Sequence, residues 1–159
     1  MDYPAEELAR FDFIIASVHS QFNMSEAEMT RRIIRAIENP FTTMVGHPTG
    51  RLLLARDPYL LDMDAVLQAA ARQGVLIELN ANPHRLDLDW RLMKKAKELG
   101  LQVVINPDAH HLEGLEDMAY GVGTARKGWL TREDVFNTLE AGAVADYFEE
   151  HRKRAGKGG

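Results

Sequence analysis

Twice in succession the chain repeats one pattern: an apolar helix face, a glycine, a short apolar run and a polar loop. Val66, Leu67, Ala70 and Ala71 lead to Gly74 and the run Val75–Leu79; Trp90, Met93, Ala96 and Leu99 lead to Gly100 and the run Gln102–Ile105. Three- and four-residue spacing marks the helices, the short β-branched runs mark strands, and each glycine supplies the left-handed stop between them. Strands that alternate with helices in this way pair in parallel through right-handed crossovers. The sequence therefore predicts an α/β fold built of parallel βα units.

The flanking segments extend the pattern. Residues 1–10 suit a helix of one or two turns, and Phe11–Val18 (FDFIIASV) reads as a strand ending at His19-Ser20. Ser25 and Glu28 form a capping box, Met29, Ile33 and Ile37 follow at fourfold spacing, and Asn39-Pro40 ends that helix near Glu38. Thr42–Gly46 is a second short strand leading into His47. Asp62 or Asp64 caps the helix before Gly74, and Asp87 is the expected cap of the next. Thr131–Glu140 is read as a helix with a Thr131/Asp134 cap, followed by a short helix near Val144–Glu150. With 159 residues and 45% hydrophobic content, one domain is expected over 1–150, with 151–159 a disordered basic, glycine-rich tail.

Composition narrows the chemistry. A net charge of -5 argues against a broad phosphate-binding surface, so any DNA contact has to be local. With no cysteine there are no disulfides or thiolate metal sites, and any metal must be held by nitrogen and oxygen. No apolar run reaches the roughly 20 residues of a membrane span, and Met1-Asp2-Tyr3-Pro4 does not open a signal peptide; a cytoplasmic protein without membrane contact is expected.

In parallel α/β folds, reactive groups gather at the C-terminal ends of the strands. The residues expected there are His19, His47, Glu78, Asn80, Asp108 and His110. In an extended Asp108-Ala109-His110, the carboxylate and the imidazole point to the same side and can reach one ion or two neighbouring ones. His19, His47, Asp108 and His110 make a donor set suited to Zn²⁺, Mn²⁺ or Fe²⁺ and to phosphate-bearing substrates. Arg51 and Arg85, beside these loops, are candidates to hold a phosphate through forked hydrogen bonds, with Asn80 on the same loop as a further binding candidate. Glu78 is expected to orient a ligand imidazole. His111 is expected to be exposed and not a ligand.

The strings ASVHS (16–20), GHPTGR (46–51), ELNANPHRLDLDW (78–90) and INPDAH (105–110) resemble, in this order, the polymerase and histidinol phosphatase (PHP) domain at the C-terminal end of bacterial family X DNA polymerases. The resemblance covers nearly all of residues 1–145. It implies a distorted (β/α)₇ barrel, of which this chain carries the C-terminal portion, and a centre of up to three divalent metal ions, Zn²⁺ or Mn²⁺. It also implies 3′–5′ exonuclease or related 3′-end phosphoesterase activity in DNA repair. His19, His47, Asp108 and His110 fall on the family's ligand positions, with Asp108 and His110 the catalytic candidates. Of the family's nine ligands four are present; those missing include its early His-x-His motif, a further histidine and a glutamate. On this reading the partners are DNA 3′ ends, an upstream polymerase core and the missing N-terminal part of the barrel, and the chain alone is expected to be inactive. Two alternatives stay open: a noncatalytic scaffold half-domain of the polymerase, and a small-molecule phosphatase of the histidinol-phosphate type.

Overall fold

The structure, a computed structural model, describes residues 1–156. It contains α1 (Ala5–Leu8), β1 (Ile15–Ala16), α2 (Glu26–Ile37), β2 (Met44–Val45), α3 (Met63–Gln73), β3 (Leu76–Asn80), α4 (Trp90–Glu98), β4 (Val103–Asn106), α5 (Met118–Lys127) and α6 (Ala141–Gly156). Short 3₁₀ turns lie at Leu112–Asp117, Arg132–Asp134 and Phe136–Thr138. The four strands form one parallel sheet in sequence order, an open arc with a helix between each pair of strands. This is the expected α/β arrangement, and it corresponds to part of a (β/α) barrel.

Both faces of the arc are covered, so its central strands are apolar in nearly every position. Val45 and Ile77 on one face pack with Met29, Ile33 and Ile37 of α2 and Val66, Leu67 and Ala70 of α3. On the other face Met44, Leu76 and Val104 meet Phe136 and, from α6, Tyr147 and Phe148. Farther along this second face, toward the strand ends, the side chains become Glu78, Asn80 and Asn106. The sheet interior thus turns polar where the site is expected.

Local signals fix several boundaries. Ser25 accepts from the Glu28 N–H while Glu28 reaches back to the Ser25 N–H, which satisfies two of the orphan donors at the start of α2. Ser25→Ala is expected to cost about 1 kcal/mol in urea denaturation, with an unchanged slope. Gly74 ends α3 in the left-handed region (φ 66°), and Asp62, not Asp64, caps it.

Four expectations are corrected. The strand Phe11–Val18 shrinks to Ile15–Ala16, with Phe11 and Phe13 exposed, because β1 is an edge with a partner on one side only. Asp89, not Asp87, caps α4: its carboxylate accepts from the Arg91 N–H, while Asp87 is buried and faces another loop. The helix expected over Thr131–Glu140 is two 3₁₀ turns separated by an extended Val135. Val135 bridges to Val103, and the Asn137 amide accepts from the Ile105 N–H (2.7 Å) and donates to the Ile105 carbonyl (2.9 Å), doing for the outer edge of β4 what a further strand would do. Finally, residues 151–156, expected to be disordered, continue α6, with His151 and Ala155 buried; residues 157–159 lie outside the described residues. No helix among the described residues is long and apolar enough to cross a membrane.

Candidate metal centre

The loop after β2 carries His47 in a strained backbone conformation (φ 27°), held from several directions. Its N–H donates to Glu78 Oε2 (2.5 Å), the Thr49 N–H to Asp87 Oδ2 (2.9 Å), and the Tyr59 hydroxyl to the Pro48 carbonyl (2.7 Å). Arg56 Nη2 donates to the Gly50 carbonyl at 2.6 Å. Asp108 is also left-handed (φ 54°). Non-glycine residues in this region cost on the order of 1–3 kcal/mol and cluster where function requires them.

These restraints bring two imidazoles together. His19 Nε2 lies 3.2 Å from His47 Nε2 and 3.3 Å from the Ser17 hydroxyl, and His47 Nδ1 is buried without a hydrogen-bond partner. Burial pushes the His47 pKa down, and the positive charge of Arg85 adds to that, so its ring is held neutral with a lone pair to offer. Two nitrogens on one tetrahedral zinc, each about 2.0–2.1 Å from the ion, lie about 3.3 Å apart. The His19–His47 spacing fits that requirement.

Behind the histidines is a buried amide–carboxylate network. Glu78 Oε1 accepts from Asn106 Nδ2 (3.0 Å) and Oε2 from the His47 N–H; burial raises the Glu78 pKa, and these donors oppose the rise. Asn80 donates through Nδ2 to Asp108 Oδ2 (3.0 Å) and accepts the Asn82 N–H through Oδ1. Asp108 also pairs with Arg85 (Nε–Oδ2 3.3 Å), and its charge reaches His47.

The predicted residues therefore divide. His19 and His47 meet beyond the ends of β1 and β2, Asp108 follows β4 and contacts Asn80 and Arg85, and Glu78 fixes the His47 backbone where an imidazole partner was expected. His110 is exposed; its Nδ1 lies 2.7 Å from the Asp108 carbonyl, which accepts only, so the proton sits on Nδ1 and the lone pair on Nε2. Among the described residues no group of three or more His, Asp or Glu is already drawn up around a single point, so His110 and Asp108 would have to turn toward the histidine pair. Asn80 is wholly buried and serves Asp108, with no atom left for a substrate. Arg51 is spent on its own loop: Nε on the Arg85 carbonyl, Nη1 on Asp89, Nη2 on the Leu86 carbonyl. Arg85 keeps donors to spare. His111 is exposed and accepts the Gly114 N–H as a turn cap.

Two residues not expected at the site are Asp87, expected only as a helix cap, and Asn106. Asp87 Oδ1 is buried without a partner, and burial raises the pKa to about 6, well above the ordinary 3.8. A carboxyl with a raised folded pKa binds protons more tightly when folded, so its stabilising effect is full below about pH 4 and is lost as the pH rises through 6. Asp87→Asn is expected to flatten this part of the stability profile, removing a fall on the order of 2–3 kcal/mol between pH 4 and 6.5. Denaturation midpoints at several pH values check it.

The parallel βα sheet thus carries imidazoles, a carboxylate and an ordering amide network beyond its strand ends. No family model matches the chain. It is 44% identical over 137 residues to the DNA polymerase/3′-5′ exonuclease PolX of Bacillus subtilis, covering 86% of this chain and 24% of that protein. It is 28% identical to a probable phosphatase of Thermoanaerobacter sp. strain X514 (98% of this chain, 64% of that protein) and 30% identical to one of Caldanaerobacter subterraneus (99% and 63%). The chain belongs to the PHP domain family, in the branch found in bacterial family X DNA polymerases. It spans about a quarter of the polymerase relative and under two thirds of the phosphatase relatives.

Proposed function

We propose that this chain is part of a metal-dependent phosphoesterase that trims DNA from the 3′ end, in a protein that also carries a polymerase core. The observation that carries the metal reading is the pair of facing imidazole nitrogens, His19 and His47, 3.2 Å apart. The DNA 3′ end as substrate is supported by the name of the Bacillus subtilis relative, a DNA polymerase/3′-5′ exonuclease.

His19, His47, Asp108 and His110 would hold the metal, Zn²⁺ or Mn²⁺, with up to three ions in a complete domain. Bound ions of this kind supply a water whose pKa is lowered toward about 7 and stabilise charge on the phosphodiester. The chain's own residues prepare the site. Burial keeps His47 neutral, Asn80 donates to the Asp108 carboxylate, Glu78 fixes the backbone that carries His47, and the Asp108 carbonyl sets the tautomer of His110. Four candidate ligands leave coordination unfilled, so this chain alone should show little or no activity and should gain it when joined to the N-terminal part of a PHP barrel.

The test is digestion of a 5′-labelled oligonucleotide by the chain alone and by the chain joined to that N-terminal part, with Mn²⁺ and with a chelator. A ladder shortening from the 3′ end, strong only in the joined protein and abolished by the chelator, is expected. Hydrolysis of histidinol phosphate with the oligonucleotide left intact would favour a phosphatase of the kind named in the other relatives.

A further inference from the structure

The two arginines beside the site are in opposite states. Arg51 has its donors on carbonyls and on Asp89, whereas Arg85 makes one close contact, Nε to Asp108 Oδ2 at 3.3 Å. Arg85 Nη1 reaches the Arg51 carbonyl only at 3.5 Å, and Nη2 has no hydrogen-bond partner among the described residues. The side chains of Arg85 and Asp108 are 19% and 29% exposed, so the pair is shielded without being sealed. Asp108 Oδ2 is shared with Asn80, so the carboxylate keeps one donor when the guanidinium leaves it. The charge of Arg85 also acts on His47. Arg85 thus stands beside a candidate metal ligand, held there by a single close contact through Nε.

We propose that Arg85 is a placeholder cation: it neutralises Asp108 while the centre is empty, gives the carboxylate up when a divalent ion binds, and then offers its guanidinium to a phosphate oxygen of the substrate. The proposal rests on the metal-centre reading above. The physical reason for the exchange is that a guanidinium and a divalent ion cannot share one carboxylate without strong repulsion in a partly shielded site. Once released, the planar fork matches two phosphate oxygens, which the single Nε contact to Asp108 does not exploit. One residue would then couple metal loading to substrate binding.

The test measures metal affinity directly, by competition of this chain with a chromophoric chelator for Zn²⁺ and Mn²⁺. Arg85→Met and Arg85→Gln, checked for folding by circular dichroism, remove the competing charge and should bind metal roughly three- to tenfold more tightly, the scale of a partly exposed ion pair. Arg85→Lys keeps the charge and should stay near the unsubstituted chain. In the metal-loaded Met and Gln variants, affinity for thymidine monophosphate should fall. Unchanged or weaker metal affinity in both neutral variants overturns the proposal. The reading beneath it is tested separately by Asp108→Asn: if that variant binds metal as well as the original chain does, the metal centre itself is misplaced and the placeholder role falls with it.

Discussion

Replacing Asp108 with Asn is expected to weaken divalent-metal binding by about 100-fold or more, the upper end of what is lost when even a supporting group of a metal site is removed. The change in volume is almost nil, and asparagine tolerates the left-handed backbone (φ 54°) as well as aspartate does. The Asn80 amide can still donate to the side-chain oxygen, and the lost pairing with partly exposed Arg85 costs about 1 kcal/mol at most. Fold and function should therefore separate: the melting temperature moves by a few degrees while metal affinity collapses. Calorimetric titration and a thermal melt on the same sample check this. A matching loss of stability would mean that Asp108 serves the fold and not a metal.

A second large effect is expected on the fold from Gly50→Ala. Gly50 has φ 63°, and a Cβ there would lie 2.4 Å from Tyr59 Cε1 and 3.0 Å from Cδ1. Tyr59 cannot swing away, because its ring is buried beside Phe22 and its hydroxyl is held by the Pro48 carbonyl. Backbone strain of about 1 kcal/mol and overpacking of 1–3 kcal/mol together give a destabilisation of roughly 2–4 kcal/mol. Because Gly50 closes the turn whose N–H bonds to the His47 carbonyl, metal affinity should fall as well. A loss below about 0.5 kcal/mol in denaturant titration would show that the loop is softer than its contacts indicate.

What the sequence revealed and what it hid follow from the range of the interactions. Signals that act within a turn were legible: the Ser25/Glu28 box, the left-handed stop at Gly74, and strands β3 and β4 to within a residue of their ends. That His19, His47 and Asp108 each follow a strand was legible too, because the alternating βα pattern places those strands. Hidden were partnerships spanning some thirty residues or more. Asp87 binds the Thr49 N–H, Asn137 completes the edge of β4, and Arg51 closes the 85–89 loop. Asp87 and Asp89 look alike as helix caps two residues apart, and only burial tells which is which. Helix α5 escaped notice because Gly121 and Gly123 weaken its pattern, yet Gly121 is required there: a Cβ would lie 2.4 Å from Ile105 Cγ2 and 2.6 Å from Ala81 Cβ.

The central claim, that His19 and His47 share a metal with Asp108, is tested most directly by locating the ion. Crystals of this chain soaked in Zn²⁺ and measured at the zinc absorption edge should show anomalous density about 2.0–2.1 Å from Nε2 of both histidines, with Asp108 turned toward it. Zinc bound only at surface carboxylates, with the His19 and His47 rings unchanged and no density between them, would contradict the account.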